Sequence, residues 1–327
     1  MRVLITGAGG FIGSHLVDSQ LEYGYDVRAV DLHLDLLRHQ EANPHLEAIR
    51  GDITEKHLVQ KLVEGIDIVY HLASAHLDVS LSDEQYRRVN VGATLSLLEA
   101  ARQAGVKRFV HCSSVGVIGD VQDPPADEST ECHPVNIYER TKLEGERIAL
   151  DFASRTGFPV VVVRPAWVYG PRCPRTEKLF RTISKGRLPI FGRGRNLRHP
   201  VYISDAVRGL ELCAETRDID GEVFIVAGET PVESRELIKV ISRQLNARTQ
   251  NIYLPLFLGQ AAGLTLELMF KLVKRRPPFS RRSMDFFLKH NAYTICKAQS
   301  RLNYQPEVDL ITGIQKTIQT LGTVRTE

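Results

Sequence analysis

Seven short runs rich in β-branched and other apolar residues recur along the chain, mostly separated by patterns typical of helices. They are RVLITG, DVRAVD, HLEAIRGD, DIVYHLA, KRFVHCSS, PVVVVRPA and EVFIVAG. Strands that alternate with helices form parallel sheets, because parallel neighbours need a crossover connection. The continuous apolar run Val160–Val163 indicates strands that are covered on both faces. The pattern therefore predicts an α/β fold built on a doubly wound parallel sheet.

The rhythm of the sequence changes beyond about residue 170. Turns at Gly170-Pro171 and Leu188-Pro189 precede a C-terminal third that is mostly helical in pattern. We predict a first domain over residues 1–170, with a segment near 199–228 that returns to it. Residues 171–198 and 229–327 are predicted to form a smaller, discontinuous, mostly helical substrate domain. A chain of 327 residues accommodates both units.

Composition excludes several classes of protein. Apolar residues at 43% and charged residues at 25% are ordinary for a soluble globular chain, and a net charge of +3 is too small to indicate nucleic-acid binding. The five cysteines are scattered, with neither a C-x-x-C pair nor metal-ligand spacing. We therefore expect no bound metal and a reducing, cytoplasmic setting. The first apolar run begins at Arg2, so we expect no signal peptide.

A glycine-rich stretch, TGAGGFIG, directly follows the first predicted strand and precedes a helix. Its glycines are Gly7, Gly10 and Gly13. This arrangement lets backbone N–H groups and a helix N-terminus face a pyrophosphate. The stretch predicts a dinucleotide site, and a tight structural turn without a ligand is the alternative.

Acidic residues follow the second and third strands. Asp31 ends the second strand, where a carboxylate accepts both ribose hydroxyls of an adenosine. Asp52 follows the third strand and is placed to reach the adenine edge. This favours NAD over NADP as the cofactor. Arg28 would favour NADP only if it reached the 2′ position, which the alternation of side chains along the strand opposes.

A second set of polar residues predicts acid–base chemistry. Tyr138 and Lys142 are four residues apart, so on a helix they share one face. A phenol titrates near pH ~10, and a neighbouring ammonium favours its phenolate. Ser113 and Ser114 end the fifth strand at the carboxyl edge of the sheet, where ligands bind in such folds. One serine is expected to bind a substrate oxygen and the other to cap the next turn.

The chain resembles the extended short-chain dehydrogenase/reductases, the NAD-dependent epimerase/dehydratase superfamily, which have a Rossmann-type fold. The motifs TGAGGFIGSHL, GDIT, HLAS, NVGATLSLLEAA, VHCSSVGVIG, YERTK, RPAWVYGPR and HPVYISDAV follow in the family's order and spacing. The resemblance implies that Tyr138 is the catalytic acid/base. It implies that Lys142 lowers the pKa of Tyr138 and holds the nicotinamide ribose, and that Ser114 rather than Ser113 binds substrate.

The same resemblance implies a set of cofactor-binding residues and a homodimer. The dimer would form through the helices in residues 90–105 and 138–157. The cofactor set is Gly7, Gly10, Phe11, Ile12, Gly13, Asp31, Asp52, Ile53, Leu72, Ala73, Asn90, Tyr138, Lys142, Pro165 and Val168.

Two features point to different substrates. Residues 172–198 carry nine basic side chains against one acid, and Arg198 matches the position where nucleotide-sugar enzymes hold a diphosphate. Arg172, at the start of this stretch, is a second candidate for substrate binding. Against this, Ala166 stands where those enzymes typically carry an asparagine. The C-terminal third resembles the 3β-hydroxysteroid dehydrogenase and sterol-decarboxylase-like branch.

The sequence therefore predicts an NAD-dependent oxidoreductase acting on a secondary alcohol or ketone of a lipid-like or bulky apolar substrate. A nucleotide-sugar 4-epimerase or dehydratase with tightly bound NAD is the alternative. A non-catalytic NAD-binding sensor would be expected to lack Tyr138 or Lys142, and both are present.

An amphipathic segment in the C-terminal third predicts peripheral membrane contact. Leu264, Leu268 and Leu272 share one helical face. The basic residues that would face anionic lipid are Lys271, Lys274, Arg275, Arg276, Arg281 and Arg282. A helix packed on its own domain is the alternative.

Overall fold

A seven-stranded, all-parallel sheet forms the centre of the computed structural model, which describes residues 1–76, 80–186, 188–247, 252–272 and 284–323. Its strand order is β11-β6-β5-β4-β1-β2-β3. The strands are β1 (Arg2–Thr6), β2 (Asp26–Asp31), β3 (Leu46–Arg50), β4 (Ile68–His71), β5 (Arg108–Cys112), β6 (Val160–Pro165) and β11 (Val223–Val226). Each predicted run contains one of these strands, which confirms the doubly wound α/β fold.

Helices connect and cover the strands. They are α1 (Phe11–Glu22), α2 (Lys56–Leu62), α3 (Asp83–Arg87), α4 (Thr94–Gln103), α5 (Ile137–Thr156), α6 (Pro174–Ser184), α7 (Ile203–Glu215), α8 (Ser234–Gln244), α9 (Leu256–Leu272), α10 (Asp285–Leu288), α11 (Cys296–Leu302) and α12 (Leu310–Thr323). Two 3₁₀ turns span Asp35–Gln40 and Val115–Val117, and a π-helical turn spans Arg88–Ala93. None of the helices in the described ranges is long and apolar enough to cross a membrane.

Three two-stranded sheets lie beside the main one. Strand β7 (Trp167–Tyr169) pairs in parallel with β10 (Pro200–Tyr202). Strand β8 (Ile190–Phe191) pairs in parallel with β13 (Tyr253–Leu254), and β9 (Leu197–Arg198) runs antiparallel to β12 (Val232–Glu233). Helix α12 packs on α8 and β10, which ties the C-terminus to these strands.

Two apolar cores lie on opposite faces of the main sheet, because alternate strand residues point to opposite sides. Ile5 and Val161 belong to the core that also contains residues of α1 and α7. Leu4 and Phe109 belong to the core that contains residues of α2, α4 and α5. Every residue of the inner strands β4, β5 and β6 is buried, whereas the edge strand β3 is partly exposed.

The segment 199–228 contributes to the main sheet. Its helix α7 packs on α1, β5 and β6, and its strand β11 pairs with β6. The segment therefore packs against elements of residues 1–170. The division of the chain into two domains stays a prediction.

Candidate active site

The glycine turn brings β1, α1 and the end of β4 into close contact. Gly7 has a φ of +71°, and a Cβ there would lie 2.6 Å from the backbone nitrogen of Ala73. A Cβ on Gly13 would lie 2.1 Å from the carbonyl oxygen of Gly7. Only glycine fits at both positions, so the predicted residues Gly7, Gly13 and Ala73 form one compact unit.

Helix α1 begins at this turn with its first backbone N–H groups uncapped. The N-cap residue Gly10 offers no side-chain acceptor, and the first turn, which includes Phe11, Ile12 and Gly13, contains no acidic residue. The first N–H groups of a helix have no partner within it and carry a partial positive charge. The turn therefore fits the pyrophosphate of a dinucleotide.

The carboxylate of Asp31 lies at the end of β2 beside the glycine turn. It accepts hydrogen bonds from the backbone N–H groups of Gly9 and His33, each at 3.1 Å. Asp52, after β3, accepts a hydrogen bond from the Thr54 N–H at 2.9 Å, and the side chain of Ile53 is buried in the core. Both carboxylates lie at the same edge of the sheet, as predicted.

Arg28 is fully engaged within the protein. Its Nε donates to Glu47 at 2.8 Å, and its Nη1 donates to carbonyl oxygens at the end of α2, including that of Leu62 at 2.8 Å. Arg28 therefore caps helix α2 and does not serve a 2′-phosphate.

Asn90 connects the loop after β4 to the helix that carries Tyr138. Its Oδ1 accepts from the Ala75 N–H at 2.7 Å and from the Ser74 hydroxyl at 3.0 Å. Its Nδ2 donates to Thr141 of α5 at 2.9 Å. Asn90 lies in the π-helical turn, a feature often found at functional sites. The predicted cofactor residues Leu72 and Ala73 precede this loop, and both N–H groups bond to Thr6.

Helix α5 presents Tyr138 and Lys142 near its N-terminus. Asn136 caps the helix, in a reciprocal pair of hydrogen bonds with Glu139. The Lys142 ammonium is buried and donates to the carbonyl oxygen of Cys112 at 2.5 Å. Burial lowers the pKa of Lys142, whereas Cys112 and Glu146 raise it. The lysine is thus anchored to the end of β5.

The two serines at the end of β5 have different partners. Ser113 is buried and donates to the Glu146 carboxylate at 2.6 Å. The Ser114 oxygen accepts from the Gly116 N–H at 3.0 Å, which caps the following 3₁₀ turn. No acceptor for the Ser114 hydroxyl proton occurs among the described residues. Ser114 therefore keeps a donor for a ligand oxygen, and Ser113 does not.

The site thus combines a glycine turn at a helix N-terminus, a Tyr-x-x-x-Lys helix and a serine at one edge of the sheet. Comparisons with known proteins agree with this arrangement. A model of the NAD dependent epimerase/dehydratase family matches residues 3–227. The chain belongs to this family. It is an enzyme of the extended short-chain dehydrogenase/reductase superfamily, and its cofactor is NAD. The predictions of fold, family, enzyme class and cofactor are confirmed.

Relatives within the family act on different substrates. The chain is 26% identical over 338 residues to sterol-4-alpha-carboxylate 3-dehydrogenase, decarboxylating, of Mus musculus, covering 99% of this chain and 92% of the relative. It is 29% identical to a 3 beta-hydroxysteroid dehydrogenase/Delta 5→4-isomerase of Mycobacterium tuberculosis, covering 93% and 86%. The crystal structure of UDP-glucuronic acid 4-epimerase from Bacillus cereus in complex with NAD matches with a TM-score of 0.81, 27% identity and 99% coverage of each chain.

In this family member, Pro165 and Val168 lie where β6 passes into β7. Pro165 ends β6 opposite Val226, and Val168 pairs with Val201 of β10. Val168 is half-buried, so part of its side chain is accessible at the carboxyl edge of the sheet. The role of these two residues as a nicotinamide wall stays a prediction.

Arg198 is a cation without an acidic partner. Its Nε is buried and has no hydrogen-bond partner, and no carboxylate of the described residues lies within ion-pair distance. Its guanidinium lies over the ring of Phe286, 5.0 Å from the centroid. Burial lowers the pKa of Arg198 to about 10.

The rest of the basic stretch is divided among several partners. Arg172 pairs with Asp18 of α1 at 2.7 Å, and Arg181 pairs with Glu177 on α6. Arg175 bonds to the imidazole of His76. These three arginines are therefore engaged within the protein, and the substrate role of Arg172 stays a prediction.

Sequence reasoning missed His76 as a site residue. Its ring packs edge-on against the ring of Tyr138, with centroids 4.5 Å apart. No motif marks it, since it lies in an irregular loop three residues beyond Ala73 and contacts Tyr138 only through the tertiary fold.

Proposed function

We propose that the protein transfers a hydride between NAD and a secondary alcohol or ketone of a lipid-like or bulky apolar substrate, with Tyr138 as the acid/base. One observation carries the proposal. Lys142 bonds to the carbonyl of Cys112, two residues before Ser114, and Tyr138 lies one helical turn before Lys142. The proposed acid/base Tyr138, the Lys142 cation and the Ser114 hydroxyl donor therefore lie at the edge of the sheet where the family binds NAD.

The roles follow from the chemistry of each side chain. NAD, when bound, accepts or returns the hydride. The Ser114 hydroxyl donates a hydrogen bond to the substrate oxygen and orients it. Tyr138 takes the hydroxyl proton during oxidation and returns it during reduction. The Lys142 ammonium stabilises the phenolate form of Tyr138 electrostatically.

The apolar substrate class is supported by the residues that follow β6. Ala166 offers no side-chain donor for a diphosphate. The ring of Trp167 stacks on that of Tyr169 at 5.9 Å and meets Phe286 edge-on at 6.4 Å. Trp167 and Phe286 are only half-buried, so aromatic surface stays accessible two residues beyond Pro165. The sterol and steroid enzymes among the relatives support the same class.

A nucleotide-sugar 4-epimerase or dehydratase is the second candidate, and Arg198 favours it. An unpaired, buried guanidinium nitrogen is costly unless a ligand satisfies it. A diphosphate accepts such donors well. In that reaction Tyr138 would serve the same role, with the hydride returned within one turnover.

Cofactor retention and a substrate panel separate the two candidates. The purified, dialysed protein is denatured and the released NAD and NADH are quantified, and NAD reduction is then followed with hydroxysteroids, other apolar alcohols and UDP- or dTDP-sugars. An exchangeable site with turnover of apolar alcohols supports the proposal. Near-stoichiometric retained NAD with turnover of a nucleotide sugar contradicts it.

The variant Arg198→Met gives a second way to distinguish the two candidate functions. The variant should abolish turnover of a nucleotide sugar but leave that of a neutral alcohol nearly unchanged. Arg181→Met is the matched control, because Arg181 is in the same basic stretch but is paired with Glu177 at the surface.

We also propose peripheral contact with anionic lipid through α9. Phe257, Leu264 and Met269 of this helix are largely exposed, which supports an apolar contact face. The side chains of Leu268, Lys271 and Leu272, and all of Lys274, Arg275, Arg276, Arg281 and Arg282, lie outside the described residues. Co-sedimentation with phosphatidylserine vesicles at low salt should capture the protein, and Phe257→Ser should weaken capture. Absence of binding contradicts the proposal.

A cytoplasmic homodimer through α4 and α5 is the third part of the proposal. These two helices pack side by side on one face of the sheet, and all five cysteines are free thiols. Light scattering should give twice the chain mass of 36.7 kDa. A monomeric mass contradicts the dimer.

A further inference from the structure

Glu146 is a buried carboxylate that the proposed chemistry does not use. It is 2% exposed and forms two hydrogen bonds with Arg164 of β6, at 3.0 Å from Nε and 2.5 Å from Nη2. It also accepts the 2.6 Å hydrogen bond from Ser113 at the end of β5. One side chain of α5 therefore holds the ends of two neighbouring strands.

The hydrogen bonds of Lys142 and Glu146 join α5 to the end of β5 at two points. Lys142 lies one helical turn before Glu146 and bonds to the carbonyl of Cys112. Cys112 is followed by Ser113, which bonds to Glu146. Because both bonds join the same two elements, α5 cannot slide or rotate along β5 without breaking one of them.

The residues next to these hydrogen bonds carry the proposed functions. Ser113 precedes Ser114, the proposed substrate donor, and Arg164 precedes Pro165, the predicted nicotinamide wall. Glu146 thus contacts the immediate neighbour of each, while its own helix carries Tyr138 and Lys142. Displacing Glu146 would move all four relative to one another.

The charge of Glu146, one helical turn from Lys142, also raises the pKa of the Lys142 ammonium, which burial lowers. The other titratable groups that interact with this ammonium are His71 of β4 and the two β5 residues His111 and Cys112. Burial holds the pKa of His71 at about 3 and that of His111 well below its usual value, so both are neutral at pH 7. Burial also raises the pKa of the Cys112 thiol.

We propose that Glu146 is a positioning residue, which fixes both the place and the charge of the Lys142 ammonium by locking α5 to the ends of β5 and β6. This inference rests on the function proposed above, in which Lys142 supports Tyr138. It gives the buried Arg164–Glu146 pair a role beyond holding the fold together.

The titration of Lys142 tests the proposal without a substrate. The full chain is labelled with ¹³Cε-lysine, and the Lys142 signal is assigned by its loss in Lys142→Met. Glu146→Gln should lower the midpoint of this titration, because the negative charge of Glu146 favours the charged form of the Lys142 ammonium. Asp151→Asn is the control, since Asp151 lies on the same helix in an exposed pair with Arg155, and it should leave the midpoint unchanged.

A second variant covers the case in which Glu146→Gln does not fold. The double variant Glu146→Gln with Arg164→Met removes both partners of the buried Arg164–Glu146 pair and so does not leave Arg164 unpaired, and Lys142 should still titrate at a lower pH. An unchanged midpoint in the variant that folds overturns the proposal. Because the signal needs neither substrate nor turnover, failure here is distinct from failure of the proposed reaction, which Tyr138→Phe tests.

Discussion

The close approach of Gly145 to the π-helical turn leads to a quantitative prediction. A Cβ on Gly145 would lie 2.4 Å from the carbonyl oxygen of Asn90, a backbone atom that cannot move alone. Gly145→Ala therefore forces α5 away from the turn that carries Asn90. Overpacking of this kind costs about 1–3 kcal/mol, and the better helix propensity of alanine offsets about 1 kcal/mol. We expect a net loss of about 0–2 kcal/mol.

Gly92→Ala is the matched control. Gly92 lies in the same π-helical turn, and its Cβ would meet only the Arg87 carbonyl oxygen, at 3.9 Å. Without a clash, alanine should raise stability by about 0.5–1 kcal/mol. The two variants should then differ by about 0.5–3 kcal/mol, or roughly 1–5 °C in Tm.

Thermal and urea unfolding of the wild type and both variants measure this difference. Gly145→Ala should also weaken NAD binding, because Asn90 holds the loop at Ser74 and Ala75. Isothermal titration with NAD measures that effect. If Gly145→Ala proves as stable as Gly92→Ala, the helix does not pack as tightly as the structure shows and the reasoning is refuted.

Three further predictions concern chemistry, pH and cofactor choice. Tyr138→Phe should reduce hydride transfer by about 10²–10⁴-fold with NAD affinity nearly intact, and activity within about threefold of wild type would contradict its role. Burial holds the folded-state pKa of His71 at about 3, below that of the unfolded chain. As the pH falls from 6.5 to 5 only the unfolded chain gains this proton, so His71 should contribute a loss of about 2 kcal/mol in folding stability, and the pH-dependent loss measured by urea unfolding should be smaller by that amount in His71→Asn. Asp31→Ala should weaken NAD binding about 10- to 100-fold without creating a preference for NADP in fluorescence titrations, because Arg28 stays bound to helix α2.

Much of the fold was predictable because buried positions are occupied by apolar residues that recur with the period of a strand or a helix. Each of the seven apolar runs forms a strand of the main sheet. The run HLEAIRGD carries polar residues because β3 is an edge strand with an exposed side. The glycine turn and the Tyr138–Lys142 spacing were recognisable for a similar reason, since local backbone geometry dictates both.

Contacts between distant residues were not predictable in this way. The family resemblance favoured Ser114 over Ser113, but the physical reason, a hydrogen bond from Ser113 to Glu146 33 residues further along the chain, is visible only in the structure. The basic stretch appeared to be one surface, yet Arg172 pairs with Asp18 while Arg198 forms no ion pair within the described part of the chain. Such pairings depend on how whole elements pack.

The sequence alone therefore determined the α/β fold, the glycine turn before α1 and the placement of Tyr138 and Lys142 on one helical face, since these depend on short-range periodicity and backbone sterics. The tertiary structure decided which serine keeps a donor without an acceptor among the described residues, which arginine forms no ion pair with a described residue, and that Glu146 bonds to both Ser113 and Arg164. Those outcomes depend on burial and charge pairing between residues far apart in the chain, and local sequence carries no record of them.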